Sequence, residues 1–349
     1  MRINSCTQNT SPSYKGLLNN KTVLKGLELI SEHGSSFVAV TTLAMATGVR
    51  PIAINSTPKV KKENKQYATT NSIASGLIKF GIVEAIALPI ENAVKNIDKN
   101  PEKYLNEKTI KALQGNAKTL VESPNYKFAT QTLKMSTGLL TAIPKAMLTV
   151  ALIPPIMNKL FPKKQEEKKN ITTQIYYQYN PVFSETFNNQ TPSFKGSITH
   201  NIAKGIGGIL NNETVQSTVK KYAHNDKNIA RNISMATDVL LTGAFVYNTQ
   251  KNKKIEEKRK KPLIYNNLIS TGISLVGGYS IDKMIQKSTK KFIDKFSEIN
   301  KHDPKLPKYI EGINILRPTL IFATIYYGIL PMFSTYLADK IDEKTQSKN

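Results

Sequence analysis

Apolar residues in this chain occur in segments of helix length, and polar stretches rich in lysine separate these segments. Apolar runs of roughly 15 to 25 residues indicate helices and not strands. The predicted apolar helices cover residues 37–54, 71–90, 135–158, 232–248, 264–281 and 313–338. The pattern therefore predicts an all-α protein with six apolar helices.

Two stretches are long enough to cross the hydrocarbon layer of a bilayer, which is about 30 Å thick. They are residues 135–158 and 319–338, and the second carries no charged side chain. The other segments are shorter or contain charges, and they suit buried helices of a soluble protein equally well. The mean hydropathy of −0.32 fits that alternative better. We predict a helical membrane bundle in the bacterial inner membrane, with a soluble all-α interaction protein as the alternative.

Short motifs recur in the same order in the two halves of the chain. The spacing between matching motifs drifts, as expected when loops change length and helices keep their order. The matching pairs are SPSYKG at 11–16 with TPSFKG at 191–196, MAT at 45–47 with MAT at 235–237, NSIASG at 71–76 with NLISTG at 267–272, and IPP at 153–155 with ILP at 329–331. This order predicts two tandem repeats, each with three apolar helices.

The duplication sets the predicted domain boundaries. Repeat 1 covers residues 11–161 and repeat 2 covers residues 191–341. A polar N-terminal tail (1–10), a polar and aromatic linker (162–190) and a polar C-terminal tail (342–349) complete the chain. Helical transporters and channels are often built by doubling a unit of this kind.

The chain resembles a group of internally duplicated, lysine- and asparagine-rich bacterial polytopic membrane proteins with an N-terminal PSYKG- or PSFKG-type element. This resemblance covers most of the length and implies no known activity. LPIENAVKNIDK at 88–99 is also similar to the proline, acid and base signature of mitochondrial carriers. Lys95 lies one residue too far from Glu91 for that signature, and two long repeats differ from that family's three shorter ones. This second match is therefore rejected.

Two lysine-rich runs raise the question of membrane topology. KVKKENK at 59–65 and KNKKIEEKRKK at 251–261 lie between the first and second apolar helices of their repeats. Three spans per repeat place these runs on opposite sides of a membrane, whereas the positive-inside rule favours the same side for both. An interfacial or re-entrant segment in each repeat is the other solution, and the sequence leaves the choice open.

The chain is strongly basic, with 49 Lys and Arg against 25 Asp and Glu and a formal net charge of +24. Most of the basic residues are lysines, and they are distributed over every loop. Proteins that read base edges use arginine for bidentate contacts, so specific nucleic-acid binding is not expected. Lysines beside apolar segments are attracted to anionic lipid headgroups. The expected partners are membrane lipids, together with a partner protein or a second copy of the chain.

The residue types that carry most enzyme chemistry are few and scattered. The single cysteine, Cys6, lies in the polar N-terminal tail, and the four histidines have no ligand-like spacing. KGIGGIL at 204–210 lacks the phosphate-loop and dinucleotide-binding patterns, so we expect a role in helix packing. We therefore predict no catalytic residue, no metal, no cofactor and no enzyme activity.

Charged residues inside the apolar segments are the remaining candidates for a functional site. The candidates are Arg50, Lys79, Glu84, Lys145, Asp238 and Arg317. Three of them are basic residues beside a proline, which frees a backbone carbonyl for a cation. Arg50 and Arg317 lie near segment ends and can extend towards water, whereas Lys145 lies near the middle of its segment. We expect Lys145 to face the interior and to pair with Asp238 or Glu84.

Two further segments predict helices outside the apolar spans. Residues 101–112 have Pro101 at the start, and Gly115 follows as a stop signal. Residues 282–300 place apolar side chains on one face and lysines elsewhere. That pattern is typical either of a helix in the plane of the headgroups or of a helix packed on its own protein.

Two classes of function fit this sequence. The first is a non-catalytic integral membrane scaffold that binds lipid or a partner protein through basic loops; short spans and large charged parts favour it. The second is a transporter or channel-like protein for a small solute, such as an anion; the duplication and the charges within the spans favour it. No motif identifies a substrate or a reaction.

Overall fold

The computed structural model describes residues 18–58, 60, 62–160, 196–223, 229–251 and 257–333. All regular secondary structure in these ranges is helical, so the predicted all-α class is confirmed. The predicted linker 162–190, both predicted tails and the centre of the loop 251–261 lie outside the described residues.

Long helices form a bundle, and short helices form a base beneath it. In chain order the helices are α1 (Lys21–Glu32), α2 (Gly34–Ser56), α3 (Lys62–Lys99), α4 (Glu107–Gln114), α5 (Pro124–Met135), α6 (Thr137–Leu160), α7 (Gly196–Leu210), α8 (Glu213–Tyr222), α9 (Ile229–Lys251), α10 (Glu257–Ile299) and α11 (Leu306–Phe333). Helix α2 contains a π-helical turn at Met45–Val49, and α11 contains another at Thr324–Ile329.

Side-chain caps fix the starts of the short helices. Asn20 accepts a hydrogen bond from the N–H of Thr22 at the start of α1 (2.8 Å), and Asn212 accepts one from Thr214 at α8 (2.9 Å). These caps satisfy N–H groups that have no partner within the helix. Gly115 ends α4 with a φ of 56°, which glycine adopts without strain.

The start of α2 is capped by a carboxylate from another helix. Glu91 of α3 accepts hydrogen bonds from the N–H groups of Ser35 (2.9 Å) and Ser36 (3.0 Å), and His33 Nδ1 lies 3.0 Å from the same carboxylate. Free N–H groups and the helix dipole both attract negative charge to a helix N-terminus. This contact joins the last turns of α3 to the first turn of α2, so the two helices run antiparallel.

Contacts along the bundle give the direction of the other long helices. We call the end that holds His33 the lower end and the end that holds Ser56 the upper end, so α2 rises and α3 descends. In the second half, Arg231 contacts Asp282 (2.8 Å) and Thr242 contacts Thr271 (2.8 Å), so α9 and α10 are also antiparallel.

The rising helices of the two halves run parallel to each other. Gly34 of α2 lies against Ile315 of α11, and Val49 farther up α2 lies against Gly328 farther up α11. Helices α6 and α9 are related in the same way: Met135, just before α6, packs with Ala230 and Ile233 in the first turns of α9, and Gly138 of α6 lies against Thr237 farther up α9. Thus α2, α6, α9 and α11 rise, whereas α3 and α10 descend.

The directions of the helices place the two ends of the linker at opposite ends of the bundle. Helix α6 ends at Leu160, at the upper end. Helix α7, which begins at Gly196, packs against the lower parts of α3 and α5. Residues 161–195 therefore connect the upper end of the bundle to its lower end.

The base contains two apolar cores, and each combines the two halves of the chain. In the first core, Ile206 and Leu210 of α7 pack against Ile97 of α3 and Tyr126 of α5. In the second core, the side chains come from α1, α10 and α11. They are Leu24, Leu27, Phe296, Tyr309 and Ile313. Burial of each large apolar side chain contributes about 1.5 to 3 kcal/mol, so these cores hold the halves together.

Residues 101–112 and 282–300 are each predicted to form one helix outside the apolar segments, and the structure differs from that prediction in both places. Residues 101–112 are divided into a 3₁₀ turn at Pro101–Lys103 and helix α4, because Asn106 caps a new helix by accepting from Thr109 N–H (2.7 Å). Residues 282–300 are not a separate helix in the headgroup plane, because all but the last form the lower part of α10. Phe296 packs under α1, so of the two alternatives the structure selects packing on the protein itself.

Four described helical segments are long and apolar enough to cross a membrane. They are Gly34–Ser56, Ala68–Lys99, Pro124–Leu152 and Leu306–Phe333. Of the six predicted apolar segments, the two in α9 and α10 fall short of this standard. The chain thus has the helices of a membrane protein, and α9 and α10 complete the bundle around them.

Candidate functional site: a polar cavity in the helix bundle

A cavity of about 220 Å³ lies at the centre of the bundle. All of the long helices contribute to its wall. Representative lining residues are Thr42 of α2, Phe80 of α3, Thr149 of α6, Thr237 of α9, Thr271 of α10 and Tyr326 of α11. The cavity is therefore shared by the two halves of the chain and belongs to neither alone.

The wall of the cavity is rich in hydroxyl groups, whereas the outer surface of the bundle is apolar. Serine, threonine and tyrosine side chains from α2, α6, α9, α10 and α11 face the cavity. On the outside, Ile52 is 67% exposed and Val276 is 69% exposed. Apolar side chains share the cavity wall with these hydroxyl groups. Large exposed apolar surfaces of the kind seen on the outside of the bundle are rare in water-soluble proteins.

Three of the predicted charged residues meet in the cavity wall. Lys79 of α3, Lys145 of α6 and Asp238 of α9 all line it. Lys145 is only 9% exposed, and its nearest charged neighbours are Lys79 and Asp238. The structure thus places Lys145 in the interior, as expected from its position in the apolar segment. Direct pairing is not observed: among the described residues, no carboxylate lies within 4.0 Å of Lys145 Nζ.

Arg317, another predicted site residue, lies in a buried ion-pair cluster and not in the cavity. Its Nε donates to Asp282 Oδ1 (2.8 Å), and Arg231 donates to Asp282 Oδ2 (2.8 Å). Asp282 has no exposed surface, so both arginines are needed to offset the cost of burying its charge. The cluster joins α9, α10 and α11 near the lower end.

Arg50 and Glu84 also lie outside the cavity wall. The Arg50 guanidinium lies 5.8 Å from the centre of the Tyr326 ring, just after the π-helical turn of α2. Glu84 of α3 lies near Ser36, with Glu91 and His33 as its charged neighbours. The charges singled out in the sequence therefore separate into a cavity group (Lys79, Lys145 and Asp238) and three individual sites.

An apolar layer packs below the cavity, and aromatic residues pack above it. Below it, Met135, Ile233 and Ile315 pack together from α5, α9 and α11. Above it, Ala46 of the first π-helical turn packs against Tyr327 of the second. π-helical turns often occur at functional sites, because they interrupt the regular hydrogen bonding of a helix.

Sequence reasoning missed the hydroxyl lining and the partner of Arg317. Thr137, Thr141 and Thr149 repeat on one face of α6, and their spacing of four and eight residues was the signal for it. Asp282 is the first residue of the predicted amphipathic helix 282–300, and nothing in the sequence indicated that it forms a buried ion pair. Within the described ranges, no three His, Cys, Asp or Glu side chains form a group that could hold a metal ion.

Comparisons with protein-family models, with curated proteins and with solved structures gave no match. The cavity and its surroundings are therefore the basis for any statement about function.

Proposed function

We propose that this chain is an integral membrane protein of the bacterial inner membrane that moves a small solute through the central cavity. The observation that carries the proposal is a central cavity whose wall includes hydroxyl and charged groups, in a bundle that exposes many large apolar side chains on its outside. In a bilayer the apolar outer surface faces lipid, and polar side chains turn towards a water-filled path. The function is transport and not catalysis.

The dimensions of the bundle suit a bilayer. Helix α2 has 23 residues, as does α9, and α6 has 24. At about 1.5 Å per residue each helix is about 35 Å long, close to the hydrocarbon thickness of about 30 Å. Lysines at the ends of these helices then lie at the level of the headgroups, where anionic lipids attract them.

An internal duplication accounts for the shared cavity. Each half supplies a rising, a descending and a rising long helix, and each half sends a short helix (α1 or α7) to the base of the other. KNIDK at 95–99 in α3 matches KFIDK at 291–295 in α10, with the same offset as NSIASG and NLISTG. The halves therefore act as parallel repeats, and a solute site at their interface is typical of duplicated transporters.

A second candidate function is the non-catalytic scaffold predicted from the composition. The base favours it, because α1, α4, α7 and α8 form a sizeable folded part beside the bundle. Basic residues on that part and on the loops offer a surface for anionic lipid or an acidic partner protein. In this candidate the cavity serves no solute.

Osmotic swelling of proteoliposomes tests the transport proposal. The purified protein is reconstituted and diluted into isosmotic glycerol, potassium acetate, potassium lactate or choline chloride, with valinomycin present so that K⁺ can follow an entering anion, and light scattering reports solute entry. Ser234→Phe fills the cavity from α9 and is expected to abolish swelling in the solute that the wild type admits. Ala236→Phe, two residues away on the exposed face, is the matched control and keeps the wild-type rate.

Alkaline carbonate extraction tests the location. An integral bundle stays in the membrane pellet after a wash in high salt and then in carbonate, because neither treatment removes apolar contacts with lipid. Release into the supernatant contradicts integral insertion. If wild-type proteoliposomes swell no faster than empty liposomes in all four solutes, the transport proposal is contradicted. The scaffold is then the remaining candidate function.

A further inference from the structure

The charged groups of the cavity do not neutralise each other. Lys79 and Lys145 face one aspartate, Asp238, so the three groups carry a formal net charge of +1. Lys145 is nine-tenths buried and cannot reach bulk water as a surface lysine does. A buried positive charge without a compensating anion is costly, so the cavity favours an anionic occupant.

The groups are also separated from each other. Among the described residues, neither lysine has a carboxylate oxygen within 4.0 Å, and Asp238 has no cation within that distance. Thr149, one turn after Lys145 on α6, has a buried hydroxyl with no hydrogen-bond partner in the described part of the chain. A lysine and a hydroxyl from successive turns of α6 therefore both belong to the cavity wall without a hydrogen-bonded or ion-paired partner among the described residues.

The volume restricts the size of the occupant. The cavity volume is about 220 Å³. Sites for larger organic ligands have about 300 to 1,000 Å³. A dianion or trianion would exceed the net charge of the cavity, whereas a single negative charge balances it.

We infer that the cavity binds a small monovalent oxyanion, of the class of short-chain monocarboxylates, between Lys79 and Lys145. The inference rests on the proposed function, because it names the solute class for the same cavity. The two ammonium groups hold the anionic oxygens, and the Thr149 hydroxyl donates a further hydrogen bond. Aliphatic parts of the solute lie against Phe80 and Val83 of α3.

Asp238 has the opposite effect on the bound anion. Its carboxylate offsets part of the positive charge in the cavity and repels the ligand. Removal of this charge therefore strengthens anion binding, whereas removal of Lys145 weakens it. For a cationic solute the two effects are reversed: removal of Asp238 weakens binding and removal of Lys145 strengthens it. For a zwitterion the loss of either residue weakens binding. The pair of variants thus reports the charge of the ligand.

Thermal shift measurements on the purified protein in detergent test this inference. Sodium acetate and sodium lactate are compared with sodium citrate, glycine, choline chloride and sodium chloride at equal ionic strength. Acetate or lactate is expected to raise the midpoint of unfolding, because a ligand that binds only the folded state stabilises it. We expect Lys145→Met to weaken the apparent Kd at least about tenfold and Asp238→Asn to strengthen it about tenfold.

Two further variants guard against a loss of folding. Lys145→Arg keeps the charge and is expected to retain the acetate or lactate shift. Lys99→Met removes an exposed lysine at the end of α3 and is expected to change nothing. Each variant is compared after gel filtration has shown a single, symmetrical peak.

Each outcome has a definite meaning. The inference is overturned if neither acetate nor lactate shifts the midpoint, if Lys145→Met leaves the shift intact, or if glycine or choline replaces the carboxylates. If carboxylate binding depends on Lys145 but the protein fails the swelling assay, the inferred ligand class is supported and the transport proposal is contradicted. If swelling occurs without an anion, the transport proposal is supported and the inferred ligand class is contradicted.

Discussion

At the scale of single residues, close backbone contacts and charge placement explain why particular positions matter. Gly207 of α7 lies directly on the backbone carbonyl of Tyr104, in the first core of the base. A side chain at that position would overlap the carbonyl oxygen. At the adjacent Gly208, a Cβ would have no neighbouring atom within 4 Å among the described residues. KGIGGIL therefore contains one glycine required for packing beside one that is not.

Alanine substitutions at the two glycines separate packing from helix propensity. Gly207→Ala is expected to destabilise the protein by about 1 to 3 kcal/mol, because the methyl group forces α7 away from Tyr104. Gly208→Ala is expected to be neutral or to stabilise by up to about 1 kcal/mol, because alanine favours the helix. The stability changes of both variants are measured as midpoints of thermal unfolding in the same detergent. Equal changes for Gly207→Ala and Gly208→Ala would contradict the packing role of Gly207.

At the scale of elements, α1 is held to the bundle by ion pairs as well as by apolar packing. The carboxylate of Glu32 lies 3.0 Å from Lys95 Nζ of α3 and 2.7 Å from Lys308 Nζ of α11. Glu28 pairs with Lys305 (2.8 Å). These contacts lie below the apolar layer formed by Met135, Ile233 and Ile315. They therefore stabilise the packing of α1 against α3 and α11 at the lower end of the bundle.

The ion pairs of Glu32 predict how the stability of the lower end depends on pH. Burial alone raises the pKa of Glu32, but hydrogen bonds and charges from Lys308 and Lys95 outweigh burial and lower the pKa from 4.5 to about 2. Because the folded-state pKa is lowered, the stabilisation is complete above about pH 4.5. It decreases as the pH falls and is lost below about pH 2.

Glu32→Gln tests this dependence. At pH 7 the variant is expected to lose about 1 kcal/mol, or about 1 to 2 °C in the midpoint of unfolding, because the pairs are partly exposed. The difference from wild type is expected to shrink between pH 4.5 and pH 2. Glu102→Gln, at an exposed position of the base, is the control. A difference that stays constant across this range would show that charge on Glu32 is not the cause.

At the scale of the whole molecule, the helix directions place equivalent points of the two halves at the same end of the bundle. The C-terminal ends of α2 and α9, which precede the two lysine-rich runs, both lie at the upper end because α2 and α9 rise in parallel. The base lies at the lower end. If the proposed bundle spans a membrane, its upper and lower ends lie on opposite sides.

Single-cysteine labelling tests this topology. In a Cys6→Ser background, cysteines replace exposed lysines at positions 62 and 251 of the upper end and at positions 99 and 221 of the lower end. A membrane-impermeant maleimide added to intact cells is expected to label one pair and not the other, with the pattern reversed in inverted vesicles. Labelling of all four positions from one side would show that the bundle does not span the membrane.

The sequence by itself determined the helical class and the approximate positions of the long apolar helices, and it marked Lys79, Lys145 and Asp238 among the six charges within those helices. These features follow from local periodicity and from the cost of charge in apolar segments, both of which are visible in one dimension. Only the tertiary structure decided which charges meet. It placed Arg317 with Asp282, capped α2 with Glu91 and kept Lys145 in the cavity wall, apart from every carboxylate of the described residues. It also fixed the parallel order of the halves, because helix direction depends on contacts between residues far apart in the chain.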